Sequence, residues 1–289
     1  MNQTIYKDCE KNAIRFSEFN QLESECPFTG LGVKYVASGE ETYYANNKKY
    51  IVKKGEYIIG NDFTKSLVKI NNKQIVQGLC IDISSQIISE VAQYHDLNGS
   101  DLKDFLLSEQ FFVNRYNVKN TILGYTLNEI NSNVKSGMPI NDLHENELFY
   151  SLAESIITDQ RFVFDHLSQM EFKKNSTNKD VFRAMLDAKT IIDEHLTDNL
   201  SLDEISLKIG ISKYHFLRVF KNTFGISPYQ YQKRKKLECA FSNLKKGNDI
   251  FETAIRFGYP DVQSFSKAFK LYFGYTPGTI RKGSFRYTN

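Results

Sequence analysis

Phe220-Lys221-Asn222-Thr223-Phe224-Gly225-Ile226-Ser227-Pro228 is echoed by Phe269-Lys270-Leu271-Tyr272-Phe273-Gly274-Tyr275-Thr276-Pro277, with every shared position displaced by 49 residues. A phrase of this length written twice at one offset marks a duplicated structural unit, and two copies are too few for a solenoid. Upstream of each copy lie a short helix-like stretch, a glycine break (Gly210, Gly258) and a second amphipathic stretch. That order is the profile of a helix-turn-helix, so the chain is read as carrying two.

The second helix of each unit has two stripes. In the first copy Phe216, Val219 and Phe220 share a face at spacings of 3 and 4, while Tyr214, Leu217, Arg218 and Lys221 share another. The offset carries these to Phe265, Ala268 and Phe269, and to Gln263, Ser266, Lys267 and Lys270. Large apolar groups on one face leave water together, so that face is core. The polar face has base-reading chemistry: Arg and Lys donate to guanine, Gln bonds adenine bidentately, and Tyr or Leu lies against a thymine methyl. A single Lys there serves equally as a phosphate contact or as solvated surface; Arg218 and Gln263, mid-face, are the base-contact candidates.

Between the copies, Pro228 opens a basic helix from Tyr229 to about Lys246, containing Lys233-Arg234-Lys235-Lys236. A charge run is ordinarily a solvated face. Beside two recognition helices the run is expected to form a phosphate rail, with Arg234 and Lys235 as its DNA-binding candidates. The helix also sets the spacing of the units, and roughly 34 Å would let them enter successive major-groove segments. Ahead of the first unit, an amphipathic helix over 180–196 carries Val181, Met185, Ala188, Ile192 and Leu196, and Ser201 with Glu204 forms a capping box.

These residues resemble the C-terminal DNA-binding domain of the AraC/XylS family of transcriptional regulators over residues 183–281. The match runs through Ser212-Lys213-Tyr214-His215-Phe216, Phe220-Lys221, Gly225, Ser227-Pro228, Arg234, Leu237, Ala254, Phe257-Gly258-Tyr259, Ser264-Phe265-Ser266, Phe269-Lys270, Phe273-Gly274 and Thr276-Pro277. Ala254-Ile255-Arg256-Phe257 departs from the usual Ile-Ala pair followed by small residues. The resemblance implies an N-terminal cupin-like domain for effector binding or dimerisation.

Charge divides along the same line. Residues 205–289 hold 16 basic against 4 acidic residues, a net of +12, and residues 1–204 hold 21 against 30, a net of −9. One end is therefore expected to meet a polyanion. The chain has 41% hydrophobic and 25% charged residues, as in ordinary soluble proteins, and no run of some 18 apolar residues. With a polar N-terminus as well, it is placed in the cytoplasm, with no membrane partner.

From Ile14 to about Ile83 the pattern favours short strands. Leu31–Ala37, Thr42–Ala45 and Lys49–Val52 are β-branched and aromatic, and Gly39, Asn46-Asn47 and Asn71-Asn72 read as turns. A meander or small barrel packs them. Helices are expected at 84–94, ending by Gly99-Ser100, and at 119–135 and 142–170. The apolar stripes of the last two (Ile122, Leu123, Thr126, Leu127, Ile130; Leu148, Leu152, Ile156, Ile157) pack on the barrel or form a dimer seam. Phe28, Tyr35, Tyr43, Tyr44, Tyr50, Tyr57 and Phe63 suit either a filled interior or an apolar pocket. Lys34, Lys53 and Lys54 read as surface lysines, or as carboxylate ligands if an effector binds.

Enzymatic readings find no support in the residues. Motifs for a P-loop, a Rossmann turn, GxSxG or HExxH are missing. The five histidines lie outside the strand region, unlike the clustered His and Glu of a metal-binding cupin. Cys9, Cys26, Cys80 and Cys239 form no CxxC pair, which speaks against a zinc knuckle, a disulfide framework or the four-Cys site of an alkylation-repair methyltransferase. They are read as reduced thiols. The expectation is thus an α+β protein without catalytic residues, metal or cofactor. It has an N-terminal cupin-like β-barrel with trailing helices (1–170), a polar linker (171–179) and an all-α domain (180–289) of two helix-turn-helix units joined by a linker helix. Its partners are double-stranded promoter DNA, RNA polymerase, an unidentified small-molecule effector and a second copy through the N-terminal helices.

Overall fold

The computed structural model describes residues 2–95, 101–137, 145–169, 175–198 and 200–281. The chain divides into two compact units, Met1–Glu171 and Phe172–Asn289. The class is α+β, with strands in the first unit and, among the described residues, helices alone in the second.

Eight antiparallel strands build the first unit: β1 (Asn2–Lys7), β2 (Ala13–Glu25), β3 (Leu31–Ser38), β4 (Glu40–Ala45), β5 (Lys48–Lys53), β6 (Glu56–Asn61), β7 (Ser66–Ile83) and β8 (Asn114–Asn117). The order is β1-β2-β7-β3-β6-β8, and β4 pairs with β5 and with the beginning of β7. Strand β7 pairs with β4 through Ser66–Lys69 and with β3 through Gln77–Ile83, so this one long strand joins the β4–β5 hairpin to the rest of the sheet. Asn46 and Asn47, at φ of 48° and 63°, close the β4–β5 hairpin in the left-handed region that asparagine tolerates.

Asn71-Asn72 is not a turn between strands. Both residues belong to β7, whose partner β2 steps from Phe19↔Val76 to Gln21↔Asn71. Residues 72–75 are extra on the β7 side, and the turn preference of the asparagines is met by a bulge while pairing resumes beyond it. Strands β1 and β8 were not anticipated, since both are short, polar edge segments.

Lys34 is the clearest departure. In place of a surface lysine, it is 3% exposed on central β3. Its amine lies 4.0 Å from Asp82 and 5.3 Å from the centre of the Phe28 ring. Asp82 also accepts from Arg15, and the Tyr43 hydroxyl donates to buried Glu41. Burial pushes Glu41 above the usual carboxylate range, against the Tyr43 bond and the Lys34 charge. Phe28 fills room left by two glycines, because a Cβ on Gly60 would stand 2.8 Å from its ring and one on Gly32 2.9 Å. Of the other aromatics, Tyr35, Tyr43, Tyr50 and Tyr57 are buried, and Tyr44 and Phe63 exposed.

Helices α1 (Ser85–His95), α2 (Leu102–Leu106), α3 (Ile122–Ser136) and α4 (Glu145–Gln169) complete the unit, α2 being unanticipated. Leu123, Leu127 and Ile130 of α3, and Leu148, Leu152, Ile156 and Ile157 of α4, are buried; Ile122 is exposed instead. Asp159 on α4 accepts from the Ile122 and Leu123 amides at 3.0 Å, tying the start of α3 to its neighbour. Gly99-Ser100, residues 138–144 and residues 171–174 of the expected linker lie outside the described residues. Asn175–Lys179 are not linker but the first turn and a half of α5 (Asn175–Glu194). Polarity alone does not oppose a helix, and Ser, Thr and Asn are at home in its first turn. No helix among the described residues is long and apolar enough to cross a membrane.

Candidate nucleic-acid interface

The second unit continues with α6 (Leu202–Lys208), α7 (Lys213–Phe224), α8 (Pro228–Lys245), α9 (Ile250–Arg256), α10 (Val262–Phe273) and α11 (Pro277–Arg281). Helices α5, α6 and α7 pack together, as do α9, α10 and α11, and α8 packs against both sets. Met185, Ala188 and Ile192 of α5 are buried as expected, as is Leu196 in the turn that follows, since α5 ends at Glu194 and not at 196; Phe182 rather than Val181 completes the stripe.

Each boundary has a local cause. Ser201 caps α6 in the box with Glu204, and Ser227 caps α8 in a second box with Gln230, with Pro228 in the first turn. Helices α6 and α9 both end in paired backbone bonds around a left-handed glycine: Gly210 and Ile211 donate to Leu207 and Ser206, and Gly258 and Tyr259 to Ile255 and Ala254. These equivalents are 48 residues apart, not 49. The second turn therefore holds one more residue before its helix, whose N-cap Asp261 accepts from the Ser264 amide at 2.6 Å.

Helices α7 and α10 are anchored alike. Phe216, Phe220, Phe265 and Phe269 are fully buried. Ring centres are 5.6 Å apart for Phe216–Phe220 and 5.5 Å for Phe265–Phe269, then 4.5 Å for both Phe220–Phe224 and Phe269–Phe273. Gly225 and Gly274, at φ of 75° and 84°, cap the two helices through bonds to Lys221 and Lys270.

With those faces inward, the remaining faces point to solvent. Tyr214 (77% exposed), Arg218 and Lys221 are exposed on α7, with Leu217 half-buried; Gln263, Lys267 and Lys270 are exposed on α10, with Ser266 half-buried. Arg234 and Lys235 are placed differently from a free rail. Arg234 donates to Glu238 at 2.9 Å and stacks 5.9 Å from the Tyr272 ring, and Lys235 lies 3.5 Å from Glu238. Burial alone would raise the Glu238 carboxyl, but bonds from Arg234 and from Tyr272 at 2.9 Å hold it below its ordinary range.

The other two members of the run, Lys233 and Lys236, sit apart from that pair, a separation the sequence reading did not draw. With Tyr229 and Gln232 they follow i, i+3, i+4, i+7, one face of α8, a spacing that was there to be read. They line a cleft of about 320 Å³ whose opposite wall is Gly258, Tyr259, Ser264 and Ala268. Burial, with Tyr229 close by, pushes the Tyr259 hydroxyl up to about 12. No group of three or more His, Cys, Asp or Glu that could hold a metal occurs among the described residues.

A family model described as a helix-turn-helix domain matches residues 205–283. The HTH-type transcriptional activator AarP of Providencia stuartii is 34% identical over 91 residues, 31% of this chain and 67% of that protein. The multiple antibiotic resistance protein MarA of Escherichia coli is 35% identical over 91 residues, 31% of this chain and 72% of that protein. The solved structure of ToxT from Vibrio cholerae, with unsaturated fatty acid bound, is 13% identical with a TM-score of 0.36, covering 95% of this chain and 97% of that one.

Proposed function

The chain belongs to the AraC/XylS family of DNA-binding transcriptional regulators, and from that membership we propose that it activates transcription by laying α7 and α10 on promoter DNA. One observation carries the assignment of the readers: two helices with the same buried phenylalanine geometry both turn a polar, basic stripe to solvent. Arg218 and Gln263 read bases, Tyr214, Leu217 and Ser266 sit beside them, and Lys221, Lys267 and Lys270 meet phosphates or guanines. AarP is named an activator, which favours activation here, with RNA polymerase as the further partner. A cytoplasmic, non-enzymatic protein is the matching assignment. The domains are proposed as 1–170 for effector binding or dimerisation and 180–289 for DNA.

The test is a gel shift with upstream DNA at moderate salt. Arg218→Ala or Lys267→Ala is expected to weaken specific binding by about 1–3 kcal/mol for each base-reading side chain removed. Full specific binding in both variants would refute the recognition-helix assignment.

A regulator without a small-molecule ligand is the second reading, favoured by the first unit's interior. There Phe28 occupies the space over Gly32 and Gly60, and Arg15 and Lys34 both pair with Asp82. Thermal stabilisation across a metabolite panel separates the two, since a ligand bound only to the folded state must raise the melting temperature.

A further inference from the structure

The four consecutive basic residues of α8 fall into two pairs. Arg234 and Lys235 share one carboxylate, that of Glu238. Lys233 and Lys236 have no carboxylate partner among the described residues, and both line the cleft. Lys233 is exposed and Lys236 half-buried. Burial, unopposed by any charge, lowers the Lys236 amine from its ordinary value. A half-buried ammonium group without a counter-charge is an arrangement that an entering anion relieves.

The rest of the cleft favours an anion held at its mouth. Tyr229 is exposed there, and Tyr259 keeps its proton to high pH. The Gln232 amide is engaged by the Leu200 carbonyl at 3.3 Å. Asp261, the carboxylate beside Ser264, is taken up by the Ser264 amide at 2.6 Å, and that bond holds it in its charged form. Ser264 and Ala268 each follow a proposed DNA-facing residue, Gln263 or Lys267, by one position, about 100° around α10. The opening thus adjoins the flank of α10 next to the proposed DNA-facing stripe.

We propose that the cleft between α8 and the second helix-turn-helix receives a phosphodiester of the DNA backbone, held by Lys233 and Lys236, while Arg234 and Lys235 serve the fold through Glu238. This rests on the DNA-binding reading above. The probe is a random-sequence 30-base-pair duplex, titrated with the full-length protein between 50 and 200 mM salt. Removing one lysine–phosphate pairing flattens the slope of log affinity against log salt by about 0.9. Lys233→Gln with Lys236→Gln is thus expected to flatten it by about 1.8, so that affinity falls about 12-fold less across that fourfold salt range. Lys233→Arg with Lys236→Arg keeps the wild-type slope. Arg234→Gln with Lys235→Gln leaves the slope unchanged and lowers the melting temperature. A wild-type slope in the Lys233/Lys236 glutamine variant, folded by circular dichroism, overturns the cleft assignment while leaving DNA binding intact. A wild-type protein that binds no duplex at all overturns the DNA-binding reading first, and the cleft assignment with it.

Discussion

Replacing Gly225 or Gly274 by alanine isolates the backbone term in the device that ends each recognition helix. Both residues sit at positive φ, 75° and 84°, and a Cβ built on either meets nothing within 4 Å. No side-chain clash contributes, so the cost is that of holding an L-residue in the left-handed region, about 1–2 kcal/mol. The bonds from Gly225 to Lys221 and from Gly274 to Lys270 remain available to alanine. For a helical unit of this size, that cost lowers its melting temperature by roughly 4–16 °C. The two caps share no hydrogen-bond partner, so the double variant should be additive within about 0.5 kcal/mol. Asparagine, which enters this region more readily than alanine, should recover part of the stability at either site. Circular dichroism melts of wild type, both alanine variants, the double variant and both asparagine variants check the set. A destabilisation above about 3 kcal/mol at either glycine, or asparagine no better than alanine at both, would refute a purely conformational cost and with it the shared role of the caps.

Truncating the anchors should cost more: Phe220→Ala and Phe269→Ala each remove a fully buried ring, with stability in urea unfolding falling by about 3–5 kcal/mol. Decreases below about 1 kcal/mol in both would contradict a core seated on these rings. Glu41→Gln tests the charge buried in the first unit. Because burial raises the folded-state value of Glu41, its stabilising contribution is present at low pH and is lost as pH rises through that value. The glutamine variant should therefore melt above wild type at pH 8, the gap closing toward pH 4. Lys34, Tyr43, Cys26 and Cys80 share the neighbourhood, so a gap independent of pH would assign the effect to packing.

The parts legible from sequence are those whose cause is local. Helix α7 announces itself by Phe216, Val219 and Phe220, and α10 repeats it at a fixed offset. The β4–β5 hairpin is written in Asn46-Asn47. Strand β7 is different: Asn71, Asn72, Lys73 and Gln74 carry turn-forming character, and only the pairing of Asn71 and Val76 on either side with distant β2 carries the strand through them as a bulge. Lys34 reads as surface because nothing nearby reveals Asp82, 48 residues on, or the Phe28 ring beneath its amine. Two features were readable and passed over. Arg234 and Glu238 stand at i, i+4, the spacing of a helical ion pair, and Gly210 and Gly258 are 48 residues apart where the phrases are 49 apart.

That single-residue difference falls between units whose cores agree closely. The paired ring distances differ by 0.1 Å or less, and both recognition helices end on a left-handed glycine. The solvent faces do not agree: Tyr214 is matched by Gln263 and Leu217 by Ser266, while Arg218 and Lys221 are matched by Lys267 and Lys270. A buried ring is held to its shape by every neighbour it touches, so changing it destabilises the whole unit. An exposed side chain can change at little cost to the fold. On the proposed assignment, Lys221 and Lys270 keep the charge that a phosphate contact needs, and side-chain identity differs at the pairs that include a base reader, Arg218 with Lys267 and Tyr214 with Gln263. The two halves then grip the backbone alike while selecting different bases. One chain would accordingly ask for two unlike half-sites rather than a palindrome, because the two recognition surfaces it presents are not copies of each other.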